Sequence, residues 1–257
     1  MIGARARMIT IKSDDEIRIM REAGRHVAQV VQMLVAALEP GITTRELDKI
    51  VRKEYARRGL VPTFLGYAYP PYPATVCVSV NDELVHGIPG PRVIQPGDLV
   101  SIDLGATLKG FVADHAVTVC VPPVSEEKQR LIDVTREALM RGIAVARAGV
   151  RLGVISNAIG EYIESQGYGV VREYVGHGVG REMHEEPQVP NFGPPDRGPV
   201  LKKGMVLALE PMVTVGDWHT KKHADGWTVS TADGSLCAHF EHTIAIREDG
   251  ADVLTLP

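Results

Sequence analysis

The sequence predicts an α+β fold of two related halves that face each other across a cluster of acids. Three observations predict it. Pro96-Gly97-Asp98-Leu99-Val100-Ser101-Ile102-Asp103 is echoed by Lys203-Gly204-Met205-Val206-Leu207-Ala208-Leu209-Glu210: a glycine turn, an apolar run, then a lone carboxylate. Asp114-His115-Ala116-Val117-Thr118-Val119 is echoed by Glu241-His242-Thr243-Ile244-Ala245-Ile246. In each half a pair of helical patterns also precedes or leads into strand patterns, and the stretch from Pro40 to Gly59 resembles that from Ala148 to Gly167.

Each element follows from local signals. Ser13-Asp14-Asp15-Glu16 is a capping box. Ile17, Met20, Val27, Val30, Val31, Leu34 and Leu38 continue at helical spacing until Pro40-Gly41. Thr43 to Glu46 caps a second helix that ends at Gly59. A loop rich in Pro, Tyr and Gly runs from Pro62 to Pro73. Strands are expected over Thr75–Val80, Leu99–Leu104 and Phe111–Val121. After Pro122-Pro123, helices are expected from Ser125 to about Arg147 and from Leu152 to Gln166. Strand-like segments follow at Val170–Val175, Met205–Leu209, Pro211–Val215, Gly226–Thr231, Phe240–Arg247 and Val253–Leu256. The half-repeats divide at about 8–122 and 123–257 within one catalytic domain.

With 257 residues the chain can bury a full core. A net charge of −4 argues against a basic nucleic-acid surface, and no nucleic-acid-binding motif is present. No apolar run is long enough to cross a bilayer. Three widely spaced cysteines make neither a disulfide framework nor a zinc finger, which points to a reducing cytoplasm.

The acids carry the chemistry. A hairpin turning at Leu108-Lys109, with Gly110 free to take positive φ, would set Asp103 opposite Asp114. Two facing carboxylates repel, and a divalent cation removes that repulsion. Glu210 and Glu241 add two more carboxylates from the second half. Mostly oxygen donors with one imidazole suit Mn, Fe, Co or Zn. Among nine histidines, His177 stands out between Gly176 and Gly178, where missing side chains permit close approach. His184 and His86 lie in compact turns. His115 and His242 follow the acids and should face the opposite side of their strands. His26, His219, His223 and His239 have no assigned role.

Asn81-Asp82-Glu83-Leu84-Val85-His86-Gly87-Ile88-Pro89, Gly176-His177-Gly178-Val179-Gly180, His184-Glu185-Glu186-Pro187-Gln188-Val189, Glu210-Pro211-Met212 and Glu241-His242-Thr243-Ile244 resemble the signatures of bacterial type I methionine aminopeptidases. The resemblance runs from about Met8 to the C-terminus. It implies the pita-bread fold, with antiparallel sheet covered by helices in two pseudo-symmetric halves. It also implies two divalent ions held by Asp103, Asp114, His177, Glu210 and Glu241, with Asp114 and Glu241 bridging.

The activity implied is removal of N-terminal methionine from nascent polypeptides when the second residue is small, through a metal-activated water. His86 and His184 match the substrate-facing histidines, and Glu210 doubles as a proton shuttle. Tyr67, Tyr72, Cys77, Met183 and Trp227 match the methionine pocket. A monomer is the family default, and transient ribosome contact suits a co-translational enzyme.

The chain departs from the pattern in four places. Met183 stands where relatives often carry an aromatic. The loop from Leu65 to Pro73 has extra residues. Ala113-Asp114-His115 replaces Gly-Asp-Thr or Gly-Asp-Ser. Residues 1–7 have no counterpart and read as an extension, with Met8 resembling a start. An Xaa-Pro peptidase shares the fold and ligand set but usually carries a large N-terminal domain. An inactive binding relative would typically have lost ligands, and all are intact.

Overall fold

Ser13 opens the first helix by the expected reciprocal cap. Its hydroxyl accepts from the Glu16 amide at 3.3 Å, and the Glu16 carboxylate accepts from the Ser13 amide at 2.9 Å. Thr43 and Glu46 repeat the device, and Gly59 closes that helix at φ 68°. The computed structural model describes residues 8–257. The reading of residues 1–7 as an extension lies outside the described residues.

Among the described residues there are four helices: α1 (Asp14–Ala37), α2 (Thr44–Arg58), α3 (Glu126–Val145) and α4 (Leu152–Ser165). The strands are β1 (Val61–Pro62), β2 (Cys77–Val80), β3 (Glu83–Val85), β4 (Leu99–Leu108), β5 (Phe111–Cys120), β6 (Gly169–Val170), β7 (Gly176–Gly178) and β8 (Glu185–Val189). The remainder are β9 (Val206–Leu209), β10 (Met212–Thr214), β11 (Thr220–Lys222), β12 (Val229–Thr231), β13 (Cys237–His239), β14 (Glu241–Ile246) and β15 (Ala251–Val253).

Several expected strands come out shorter or displaced: Thr75–Val80 starts at Cys77 and Gly226–Thr231 at Val229. Val170–Val175 keeps only its first residue as strand, because pairing with β10 covers only Gly169 and Val170. The final strand lies at Ala251–Val253, pulled back by pairing with β14, instead of at Val253–Leu256.

The main sheet runs β1-β4-β5-β14-β9-β7-β8, with β2 on β4 and β15 on β14. The repeated segments therefore sit in reflected order, β4-β5 against β14-β9. One core packs α1 and α2 on the first half, with Val27, Leu34, Leu47 and Val51 meeting Val100, Ile102 and Leu104. Another packs α3 and α4 on the second, with Leu139, Ile155 and Ile159 meeting Leu207, Leu209 and Ile244. Burying each such side chain contributes about 1.5–3 kcal/mol. Helices thus cover one sheet face, and the other is left for the site.

The β4–β5 hairpin corrects the expected register. Its turn is Lys109-Gly110, both at positive φ (48° and 79°), so Leu108 pairs with Phe111. A two-residue hairpin turn favours positive φ at both central residues, and Lys109 supplies the first. Asp103 consequently opposes Ala116, and Asp114 opposes Gly105, not Asp103. The shift is two residues, so both acids keep one face and become diagonal neighbours.

The seam between the halves is short. Only Glu241↔Ala116 and His242↔His115 are register pairs between β14 and β5. Threonines extend it in place of backbone. Thr243 Oγ1 accepts from the Asp114 amide at 3.0 Å and donates to the Asp114 carbonyl at 2.8 Å. Thr118 Oγ1 does the same with the amide and carbonyl of His239, at 2.8 Å each.

Candidate metal centre

Asp103 and Asp114 project from β4 and β5, Glu241 opens β14, and Glu210 follows β9. All four line one cavity of about 120 Å³ together with His177. Gly105 makes room for Asp114: a Cβ there would lie 2.9 Å from the Phe64 ring and 3.4 Å from Asp114 Oδ1. The backbone carbonyl of Glu210 is held by Asn191 Nδ2 at 3.0 Å.

This cluster is electrostatically unfavourable as protein alone. Burial raises Asp103, Glu210 and Glu241 well above the carboxylate range, and their mutual charges and that of Asp114 add to it. Burial lifts Asp114 to about 7, against the lowering effect of the His115 amide and the Asp103 carboxyl. Asp103 Oδ1 and Glu241 Oε1 are buried without a hydrogen-bond partner.

His177 makes the case sharper. Its Nδ1 lies 2.9 Å from the Gly178 carbonyl, which can only accept, so Nδ1 carries the proton. Burial first, then His184, holds the ring's pKa at about 3, so Nε2 is a bare lone pair. That lone pair faces Glu210 Oε1 at 3.5 Å and Asp114 Oδ2 at 4.0 Å. Acceptors pointed at acceptors need a proton or a metal cation between them. Donor atoms of Asp114, His177 and Glu241 all fall within 4.8 Å of one another, a spacing that fits a metal ion. The donor set therefore fits divalent ions.

The expected pocket residues converge on the same cavity. Tyr67, Tyr72, Cys77, His86, Met183, His184 and Trp227 all line it. Tyr72 is fixed by its hydroxyl, which donates to the carbonyls of Gly87 at 2.9 Å and Val76 at 3.2 Å. Trp227 Nε1 donates to the Pro70 carbonyl at 3.0 Å, which ties the extra residues of the 65–73 loop to the pocket wall. Tyr67 OH lies 2.5 Å from His184 Nδ1. His184 sits over His177, ring centroids 4.3 Å apart. The His86 ring meets Trp227 and Tyr174 edge to face, both at 6.0 Å. Burial lowers His86 to about 4, with His184 and Lys222 adding, and burial lowers His184 too.

His115 and His242 stack at 4.7 Å and line a separate cavity, as the alternation of strand faces predicts. Two lining or neighbouring residues escaped the sequence reading. Phe64 gave no signal beyond one aromatic in a loop. His239, given no role, is 2% exposed, and its Nε2 lies 3.9 Å from Glu210 Oε2 and 4.0 Å from Glu241 Oε2. The signal was its place two residues before Glu241, on the same side of an extended chain.

A helix-backed sheet that buries four carboxylates and a lone-pair imidazole beside an apolar pocket defines a metal-dependent hydrolase. The chain belongs to metallopeptidase family M24, whose sequence profile matches residues 18–248. It is 52% identical over 248 residues to methionine aminopeptidase 1 of Bacillus subtilis, covering 96% of this chain and 99% of that one. It is 50% identical over 250 residues to the methionine aminopeptidase of Clostridium acetobutylicum, covering 97% and 99%. Among solved structures, methionine aminopeptidase from Thermotoga maritima superposes with a TM-score of 0.95 at 47% identity, covering 97% of this chain and all of that one. Prolidase from Pyrococcus furiosus matches at a TM-score of 0.78 and 26% identity, covering 97% and 66%. The fold is the pita-bread fold that these peptidases share.

Proposed function

We propose that this chain removes the N-terminal methionine of nascent polypeptides whose second residue is small. The observation that carries the reading is the acid–imidazole cluster opening directly into a pocket shaped by Tyr72, Cys77, Met183 and Trp227. Full-length identity near 50% to methionine aminopeptidases supports it.

Asp103, Asp114, His177, Glu210 and Glu241 would hold two divalent ions. Bound there, ions of the Co, Mn, Fe or Zn type would activate a water and polarise the scissile carbonyl. The protein supplies the rest. The apolar pocket takes the methionine side chain, with Cys77 and Met183 as polarizable contacts. Tyr67 hydrogen-bonds His184 Nδ1, so Nε2 is the nitrogen free to face the reacting carbonyl oxygen. Neutral His86 is available to hydrogen-bond the peptide nitrogen. Glu210, lining the cavity beside the pocket, is placed to pass a proton to the leaving amine. On this reading the enzyme works in the cytoplasm as a monomer and meets the ribosome transiently.

Apo-protein reconstituted separately with Co, Mn, Fe and Zn is assayed on Met-Ala-Ser and Ala-Pro-Ala. Metal-dependent release of methionine from the first peptide alone is expected. Equal cleavage of Ala-Pro-Ala would move the assignment to an Xaa-Pro peptidase. Cleavage of neither, with metal bound, would make the chain a binding protein. His184→Ala is expected to lose turnover while its metals stay bound.

A further inference from the structure

His239 is the one imidazole beside the acids to which the proposed chemistry gives no task. Among the described residues, five buried side-chain polar atoms lack a partner, and His239 Nε2 is one. Asp103 Oδ1 and Glu241 Oε1, two others of the five, belong to the acid cluster itself. A buried nitrogen without a partner costs about 1–3 kcal/mol, so its position needs a reason.

The reason lies in where its backbone holds it. The amide and carbonyl of His239 are both bound to Thr118 Oγ1 at 2.8 Å. β13 pairs His239 with Met212, two residues beyond Glu210. The ring therefore has little freedom to retreat, and Nε2 stays nearly equidistant from Glu210 Oε2 (3.9 Å) and Glu241 Oε2 (4.0 Å). It falls outside the group whose donor atoms converge within 4.8 Å, which comprises Asp114, His177 and Glu241. Facing the carboxylates of Glu210 and Glu241 at once from a fixed backbone, it is placed to support them.

We propose that His239 is a positioning residue of the metal centre: with an ion bound, its Nε2–H closes one of the 3.9 and 4.0 Å gaps, donates to a carboxylate oxygen of Glu210 or Glu241, and holds that carboxylate in ligating orientation. The inference rests on the metal-dependent reading above and adds a residue to it. Such a donor selects the carboxylate rotamer and favours the ionised form that a cation needs. Outer partners of this kind typically change metal affinity by about 10–100-fold.

The test uses the apo-protein and Zn²⁺ alone, with affinity measured by calorimetry. His239→Gln keeps an N–H donor, and His239→Met fills similar space without one. The expected result is H239Q within about threefold of wild type and H239M weaker by about 10–100-fold. Equal affinity of H239M and wild type, or H239Q as weak as H239M, overturns the proposal. If wild type binds no Zn²⁺, the metal reading itself fails, which is a separate outcome.

A second measurement needs no variant that must fold without the donor. The histidine ¹H–¹⁵N spectrum of wild type is followed during Zn²⁺ addition, with H239Q identifying the His239 signals. Retention of the Nε2 proton, with slowed exchange, supports the donor role. Loss of that proton on metal binding would make His239 a direct ligand and overturn it.

Discussion

Gly178→Ala tests how tightly the site depends on strand spacing. A Cβ built on Gly178 would lie 2.2 Å from the Glu186 carbonyl oxygen and 2.7 Å from its carbon. Real Cβ contacts do not fall below 3.0 Å, so β7 and β8 must separate by about 0.8 Å or more. The neighbouring His177 is bound to the Gly178 carbonyl through Nδ1, so its Nε2 moves with the backbone. A displacement of about 1 Å at a reacting centre can cost roughly 100-fold in rate. Overpacking of this kind costs about 1–3 kcal/mol, or a few degrees in Tm for a chain of this size. The assay is methionine release from Met-Ala-Ser, with a melting curve of the same preparation. Gly250→Ala is the control, because a Cβ there meets nothing within 4 Å. If Gly178→Ala kept kcat/KM within threefold of wild type, the argument that these glycines admit the flanking strands would be wrong.

Tyr67→Phe removes the hydroxyl on His184 Nδ1 and keeps the ring. It should lower kcat about tenfold, the size of effect of a lost hydrogen bond, with little change in KM or metal content; a rise in KM alone would make Tyr67 only a pocket wall. Adding Mn²⁺ or Zn²⁺ at about 100 times Kd to apo-protein should stabilise it by about 2.7 kcal/mol, raising Tm by roughly 5–10 °C. No shift with any divalent ion would contradict a metal-binding acid cluster. Lys12→Met strands Glu185, whose partner Nζ lies 2.7 Å away in a largely buried pair. The amide of Arg181 still reaches the carboxylate, so a loss of about 1–3 kcal/mol is expected, read by denaturant melting; an unchanged midpoint would refute it. Asp114→Ala should abolish turnover and weaken metal binding together, and activity near wild type would remove its ligand role.

Much of the architecture was legible because the chain repeats itself. Capping boxes at Ser13 and Thr43 located helices to within a residue, since their hydrogen bonds are local. The duplicated acids pointed to one shared cavity, which all four line, because lone carboxylates in apolar strands need compensation. The hairpin register was misjudged by two residues, because Lys109 accepts a positive φ that sequence leads one to assign to Gly110 alone. The short strands at Glu83–Val85, Glu185–Val189, Thr220–Lys222 and Cys237–His239 were missed. Runs of three to five residues carry too little alternation to register, and Pro187 argues against a strand outright. His239 was passed over although Cys237, Ala238 and Phe240 around it are apolar, because its place beside the acids comes from the fold around it.

The seam of two register pairs has a mechanical consequence. Each half contributes carboxylates, and the strands carrying Asp114 and Glu241 meet across only two register pairs. Prying the halves apart would cost few main-chain hydrogen bonds but would pull the four carboxylates away from any shared ion. A cation held there would rivet a short joint between the halves. Proteolysis and hydrogen exchange in the ion-free protein should therefore begin along β5 and β14, deep in the fold, and not only at exposed loops.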